Sequence, residues 1–250
     1  MVIDINKPVS LLRRALETVW GLVSAVVFAL LVFLSVLLAL VLPDLAWRRG
    51  FAAGCARLFF RVALMPCRVT GLERLPEGNC VVVSNHASYL DGPLLFGVLP
   101  PRFSFVIKKE VTKIRFAALL LNRLGHKFVD RFNRHEGAAD ARRILRAALG
   151  GDSVVFFAEG TFHPEPGLHR FHVGAFATAR QAGLKVVPVV IRGTRRAFGA
   201  NDKLPRPGRL EVEILEPLPA PDPDDPHSVT NTRDESRRRI LERLGEPDLA

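Results

Sequence analysis

Cysteine is scarce in this chain: three residues in 250, Cys55, Cys67 and Cys80. The count is odd and no C-x-x-C pair occurs, which excludes a disulfide framework and a zinc ribbon and fits a reducing compartment. There are one Tyr and two Trp, and no nucleic-acid-binding motif, so a nucleic-acid partner is disfavoured despite the formal charge of +10. G-x-S-x-G is absent, which removes the nucleophile elbow of a soluble hydrolase. Acidic residues are outnumbered, 25 against 35 Lys and Arg. That imbalance points to anionic partners: anionic lipid, phosphate esters or an acidic carrier protein. With 48% hydrophobic and 24% charged residues, disorder is excluded as well. The length holds one medium domain and an appendage.

Charge is missing altogether between Glu17 and Asp44. The apolar part of the 18–43 segment is about 24 residues, roughly what a hydrocarbon core of about 30 Å requires. That is long and unbroken for a buried core helix, and no signal-peptidase site follows it. Trp20 and Trp47 flank the segment as interface anchors do. Arginines stand on both sides, Arg13 and Arg14 before and Arg48 and Arg49 after, so loop charge does not orient it. Over 45–65, Phe51, Cys55, Leu58, Phe59 and Val62 recur at helical spacing between arginines, the pattern of an amphipathic helix. Residues 1–66 thus read as a membrane anchor, either a full span or a hairpin dipping into one leaflet.

From Cys67 onward short apolar runs alternate with helical stretches. Strands are expected at 67–70, 80–84, 103–107, 127–129, 153–157, 185–191 and 209–215. Helices are expected at 93–99, 113–124, 138–149 and 173–182. This is an α/β pattern: a single domain, 67–216, with a roughly seven-stranded, largely buried sheet flanked by helices. A Pro/Asp linker and a C-terminal helix, 229–244, occupy 217–250. Basic residues concentrate between Arg102 and Arg134, interleaved with Val106, Ile107, Ile114 and Phe116. Such a surface suits anionic lipid head groups.

Four blocks carry potential chemistry. The strand Cys80–Val83 runs into Asn85-His86-Ala87-Ser88-Tyr89-Leu90-Asp91. A histidine at a sheet end is well placed for acid–base work. Asp91 either caps a helix with Pro93 or accepts from one ring nitrogen of His86, leaving the other free as a base. His135 and Asp140 have the same spacing, but His135 stands in a polar stretch and reads as ordinary surface. The second block is Glu159-Gly160-Thr161-Phe162 after the strand at 153–157. The third is Gly125-His126-Lys127-Phe128-Val129-Asp130-Arg131. The fourth is Val187-Pro188-Val189, where proline in a strand marks an edge or a bulge.

In this order the blocks resemble the glycerolipid acyltransferase family, of the 1-acyl-glycerol-3-phosphate (lysophosphatidic acid) acyltransferase type. N-H-x-S-x-x-D is matched by Asn85, His86, Ser88 and Asp91; F-I/V-D-R by Phe128, Val129, Asp130 and Arg131. F-P-E-G-T-R is matched by Phe157, Glu159, Gly160 and Thr161, and V-P-V by Val187, Pro188 and Val189. The resemblance implies a membrane-bound O-acyltransferase of phospholipid biosynthesis on the cytoplasmic face. It would move an acyl group from a thioester co-substrate, acyl-CoA or acyl carrier protein, to a lysolipid hydroxyl, without cofactor or metal. It implies His86 as base and Asp91 as its orienter. Asn85, Ser88, Arg131, Glu159, Gly160 and Thr161 would frame the substrate, Ser88 as a hydrogen bonder rather than a nucleophile. Val187 and Pro188 would lie on the donor or acyl-chain side. Two residues depart from the pattern: Ala158 replaces the family proline, and Phe162 the arginine linked to the acceptor phosphate. Arg131 or Arg170 is the expected substitute; the alternatives are a lyso-aminolipid acceptor of the ornithine-lipid type, or an inactive lipid-binding homologue.

Overall fold

A computed structural model of the protein describes residues 11–130 and 134–250. It opens with two antiparallel helices, α1 (Leu11–Val41) and α2 (Leu45–Val62). Asp44 caps α2 by accepting the Trp47 N–H at 3.0 Å. The carbonyls that end α1 have no intrahelical donors. Arg48 supplies Leu42 O at 2.6 Å and Pro43 O at 2.9 Å; Arg123 supplies Ala39 O at 3.0 Å and Leu40 O at 2.9 Å.

The sheet contains β1 (Cys67–Thr70), β2 (Cys80–Ser84), β3 (Phe103–Lys108), β4 (Lys127–Val129), β5 (Ser153–Phe157), β6 (Lys185–Arg192) and β7 (Leu210–Ile214). Its order is β1-β7-β6-β2-β5-β3-β4. Only β6 and β7 run antiparallel. Successive side chains of β2 alternate between two cores, as strand geometry requires. Cys80 and Val82 join α2 and α3 (Asp91–Val98) on one face. Val81 and Val83 join α6 (Gly174–Ala182) and α8 (Ser228–Leu244) on the other. The remaining helices are α4 (Arg115–Arg123), α5 (Arg134–Leu149) and α7 (Thr194–Phe198).

Pro188 lies in an inner strand, so it marks a bulge, not an edge. Val189 pairs with Ile214, whereas Val186 pairs with Leu218, a register slip of one residue across the proline. The helix expected at 113–124 is α4, preceded by a short 3-10 turn at Lys109–Lys113 and the extended backbone of Ile114. α7 was not foreseen; five residues carry too little periodicity. The C-terminal helix expected at 229–244 is present as α8, and the segment packs on the domain: Leu218 bridges to Val186, and Ile240 and Leu244 are buried in the second core. Trp20 is half-buried and packs on the first core with Val27 and Leu31, whereas Trp47 is exposed. Further along α1, Val36 and Ala39 pack with Ala52, Leu120 and Leu124. The same helix exposes Leu22, Val26, Leu30, Phe33 and Leu37 on its other side.

Candidate active site

The carboxyl ends of the parallel strands meet at one edge of the sheet, where open α/β sheets place their sites. Past the end of β2, Asp91 is wholly buried. Its Oδ2 accepts from Ala87 N–H at 2.7 Å, Ser88 N–H at 2.9 Å and His86 Nδ1 at 2.8 Å. Of the two alternatives expected of Asp91, the structure has the second: Asp91 is the first residue of α3 and does not cap it, the N-cap being Leu90, and its carboxylate holds the imidazole. Because the carboxylate is the acceptor, Nδ1 carries the proton and Nε2 presents a lone pair. The ring stacks on Phe157 at 4.2 Å between centroids and meets Phe162 edge-on at 4.6 Å.

Past the end of β5, Glu159 is 6% exposed. One carboxylate oxygen accepts His86 N–H at 2.7 Å and the other His169 N–H at 2.9 Å. Burial pushes its carboxyl up to about 7, against the pull of those two N–H groups and of Arg195. Gly160 turns the chain with φ +81°, a left-handed conformation that suits glycine. Thr161 Oγ1 then receives Lys108 Nζ, from the end of β3, at 2.6 Å.

Beneath these groups lies a cavity of about 600 Å³. His86, Lys108, Gly160, Thr161 and Phe162 line it together with apolar side chains of α1, α2, α3, β3 and α4. Its walls include Phe28, Leu31, Phe59, Phe96 and Leu120, and its volume is that of a pocket for a ligand of several hundred daltons. Among the described residues, no group of three or more His, Cys, Asp or Glu gathers to hold a metal.

The structure brings together His86, Asp91, Gly160 and Thr161 as expected, and reassigns others. Asn85 and Ser88 are buried and bonded to backbone. Asn85 takes both Ile191 N–H at 2.8 Å and Ile191 O at 2.9 Å; Ser88 Oγ donates to Phe198 O at 2.6 Å. They fasten the His86 loop to β6 and α7 instead of facing substrate, and Glu159 fastens it to the loop after β5. Val187 and Pro188 sit in the sheet interior, away from the cavity. Arg131 and the side chain of His135 lie outside the described residues. Asp140 accepts Asp130 N–H at 2.9 Å and pairs with Arg143 at 3.0 Å. Arg170 is exposed and outside the cavity wall. The cation that does reach Thr161 is Lys108, which sequence reasoning had merged into the basic surface; its signal was a lysine closing a buried strand.

Fold and site together define an α/β domain with an oriented imidazole over a lipid-sized apolar cavity. The sequence profile of the acyltransferase family matches residues 66–192, and the chain belongs to that family. It is 30% identical over 178 residues to a chloroplastic 1-acyl-sn-glycerol-3-phosphate acyltransferase of Brassica napus, covering 69% of this chain and 52% of the relative. It is 32% identical over 186 residues to a lyso-ornithine lipid O-acyltransferase of Pseudomonas aeruginosa, covering 66% and 67%. The chain spans about half the length of the plant relatives it matches. The crystal structure of a 1-acyl-sn-glycerophosphate acyltransferase from Thermotoga maritima superimposes with a TM-score of 0.72 at 23% identity, over 91% of this chain and 97% of the other, a likeness of fold.

Proposed function

We propose that this chain transfers a fatty acyl group from a thioester, acyl-CoA or acyl carrier protein, to the free hydroxyl of a lysolipid, with 1-acyl-glycerol-3-phosphate as the main acceptor. The observation that carries this reading is His86: Nδ1 held by Asp91 at 2.8 Å, the ring at the wall of the cavity. An alcohol is a poor nucleophile near neutrality and needs a base. Nε2 takes the hydroxyl proton as the oxygen attacks the thioester carbonyl. The tetrahedral intermediate then collapses, the C–S bond breaks, and the thiol leaves with the proton from the imidazolium. No acyl-enzyme and no cofactor enter this scheme. The cavity, on this reading, holds the acyl chain.

Lys108 beside Thr161 supports a phosphate-bearing acceptor, since it supplies a charge near the position where the family arginine is replaced by Phe162. One observation favours a second acceptor. Phe162 meets Tyr89 at 4.8 Å and Tyr89 meets Phe198 at 5.3 Å, an aromatic surface suited to an amine head group. The named activity of the Pseudomonas relative is consistent with that lyso-aminolipid reading. Measuring kcat/KM with lysophosphatidic acid and lyso-ornithine lipid on the full chain separates them. Lys108→Ala lowers use of the phosphate acceptor about tenfold or more if the first holds. An unaltered acceptor ratio in both Lys108→Ala and Phe162→Arg contradicts both head-group assignments, and no transfer to either acceptor contradicts the activity.

Membrane attachment belongs to the same proposal. Arg14–Val41 is one helix long and apolar enough to cross a bilayer. Yet α1 packs on the domain from Trp20 to Ala39. A full span would carry that domain into the hydrocarbon, so α1 and α2 lie in one leaflet with their outer faces in lipid, on the cytoplasmic side where thioester donors are made. The basic surface with Lys113 and Arg115 then meets anionic head groups. Retention on neutral vesicles at high salt supports insertion; salt-sensitive binding to anionic vesicles alone contradicts it.

A further inference from the structure

One polar ring lies deep in the cavity, and the reaction scheme does not use it. His126 is 7% exposed and lines the same cavity as His86. Its Nδ1 accepts Phe105 N–H at 3.2 Å. That bond has a structural use: β4 begins to pair with β3 only at Lys127 opposite Val106, so the residue before β4 completes the ladder with its side chain. Asn or Asp has an acceptor for the same duty. A histidine brings a second nitrogen, and here that nitrogen is unspent.

Since Phe105 N–H is the donor, the proton of the neutral ring sits on Nε2. The ring stays neutral, because burial, with Arg49 and Lys127 nearby, drives its conjugate acid down to about 3. Edge-to-face contacts with Phe96 and Phe105, both at 5.4 Å, fix the ring plane. Nε2–H has no hydrogen-bond partner among the described residues. Phe105 is level with Val155 and, across it, with Val82, which is four residues before His86. β2 ends at Ser84, however, and the His86 ring stacks on Phe157, two residues past Val155. At about 3.3 Å per residue along the strands and about 4.8 Å between them, the donor lies roughly 12 Å from the base, a mid-chain distance for a fatty acyl group whose carbonyl is at His86.

We propose that His126 is a specificity-determining residue: Nε2–H donates to an oxygen substituent, hydroxyl or keto, at mid-chain of the acyl group in the cavity. This rests on the reading of the cavity as the acyl site. A free water is a poor occupant, because a buried water needs two to four polar partners and this wall is predominantly apolar. An oxygen carried on a chain that the cavity already anchors satisfies the donor without confining a separate molecule.

The test is calorimetric binding of stearic acid, and of stearic acids hydroxylated at successive mid-chain positions, to the full-length protein in detergent micelles. Comparing positional isomers cancels their common cost of leaving water. One position should bind about tenfold tighter than the positions flanking it, the scale of one hydrogen bond in an apolar site. That peak should vanish in His126→Phe. A flat positional profile in the wild type, with stearic acid bound, overturns this inference alone and leaves acyl transfer standing. The same peak in His126→Phe also overturns it. Failure of every acid to bind removes the acyl reading of the cavity together with this inference. The wild-type profile is informative even where the variant is unstable.

Discussion

His86 and His126 are the same side chain on the wall of the same cavity, and their surroundings give them opposite chemistry. His86 donates from Nδ1 to a carboxylate, so its Nε2 is an acceptor and a base. His126 accepts at Nδ1 from a backbone N–H, so its Nε2 is a donor. One nitrogen's partner thus decides what the other can do. The first ring stands near the surface, where protons are exchanged; the second lies between phenylalanines on the cavity wall, where a fixed donor sorts ligands.

The largest expected effect lies at the first ring. His86→Ala should lower kcat for acyl transfer about 10³-fold, within the range for losing a general base. His135→Ala, at the other His-x4-Asp pair, should stay within about twofold of wild type, as expected if that pair takes no part in the transfer. Equal losses at His86 and His135 in a steady-state assay would break the comparison. Asp91→Asn comes next. Oδ2 alone accepts from Ala87 N–H, Ser88 N–H and Nδ1–H, so an asparagine whose oxygen keeps those bonds loses the negative charge that steadies the imidazolium, and one that is flipped sets its NH2 group against three donors. A fall of about 10²-fold or more in kcat at intact stability is expected, and a change confined to KM argues against it.

A smaller effect concerns pH and the second ring. The unfolded chain protonates His126 near 6.5, whereas the folded chain resists protonation down to about 3. The folded state therefore binds fewer protons across that window. Stability from this ring is full above pH 6.5 and is lost as pH falls toward 3. The Tm of the wild type should drop faster than that of His126→Phe over this interval. Parallel curves mean that the ring is protonated in the folded state. The smallest effect is at Phe162. Phe162→Arg should move acceptor preference toward lysophosphatidic acid by about tenfold, the scale of one charge-assisted bond, read from competing acceptors.

How much of this was legible in the chain follows the range of each interaction. β4 and β5 were placed residue for residue, because short runs such as Ser153–Phe157 stand out between helical stretches. The antiparallel placement of β7 and the strand order were not legible, since pairing joins segments far apart in sequence. His86 and Asp91 were legible because their contact spans five residues. Asn85, Ser88 and Glu159 were read as substrate contacts because the groups that occupy them are remote: Ile191 lies 106 residues from Asn85, Phe198 lies 110 from Ser88, and His86 lies 73 from Glu159. His126 was named within the third block without a role, and Lys108 was counted with the basic surface. Only the fold brings the end of β3, the residue before β4 and the loop after β5 around one cavity.

The contrast between the two rings is directly measurable by nitrogen-15 NMR of the histidine side chains in the full-length protein at neutral pH, with His86→Ala and His126→Phe to assign the signals. The account predicts two neutral rings of opposite tautomer: His86 protonated on Nδ1 with an unprotonated Nε2, His126 protonated on Nε2 with an unprotonated Nδ1. Two rings of the same tautomer, or a His86 protonated on Nε2, would contradict it.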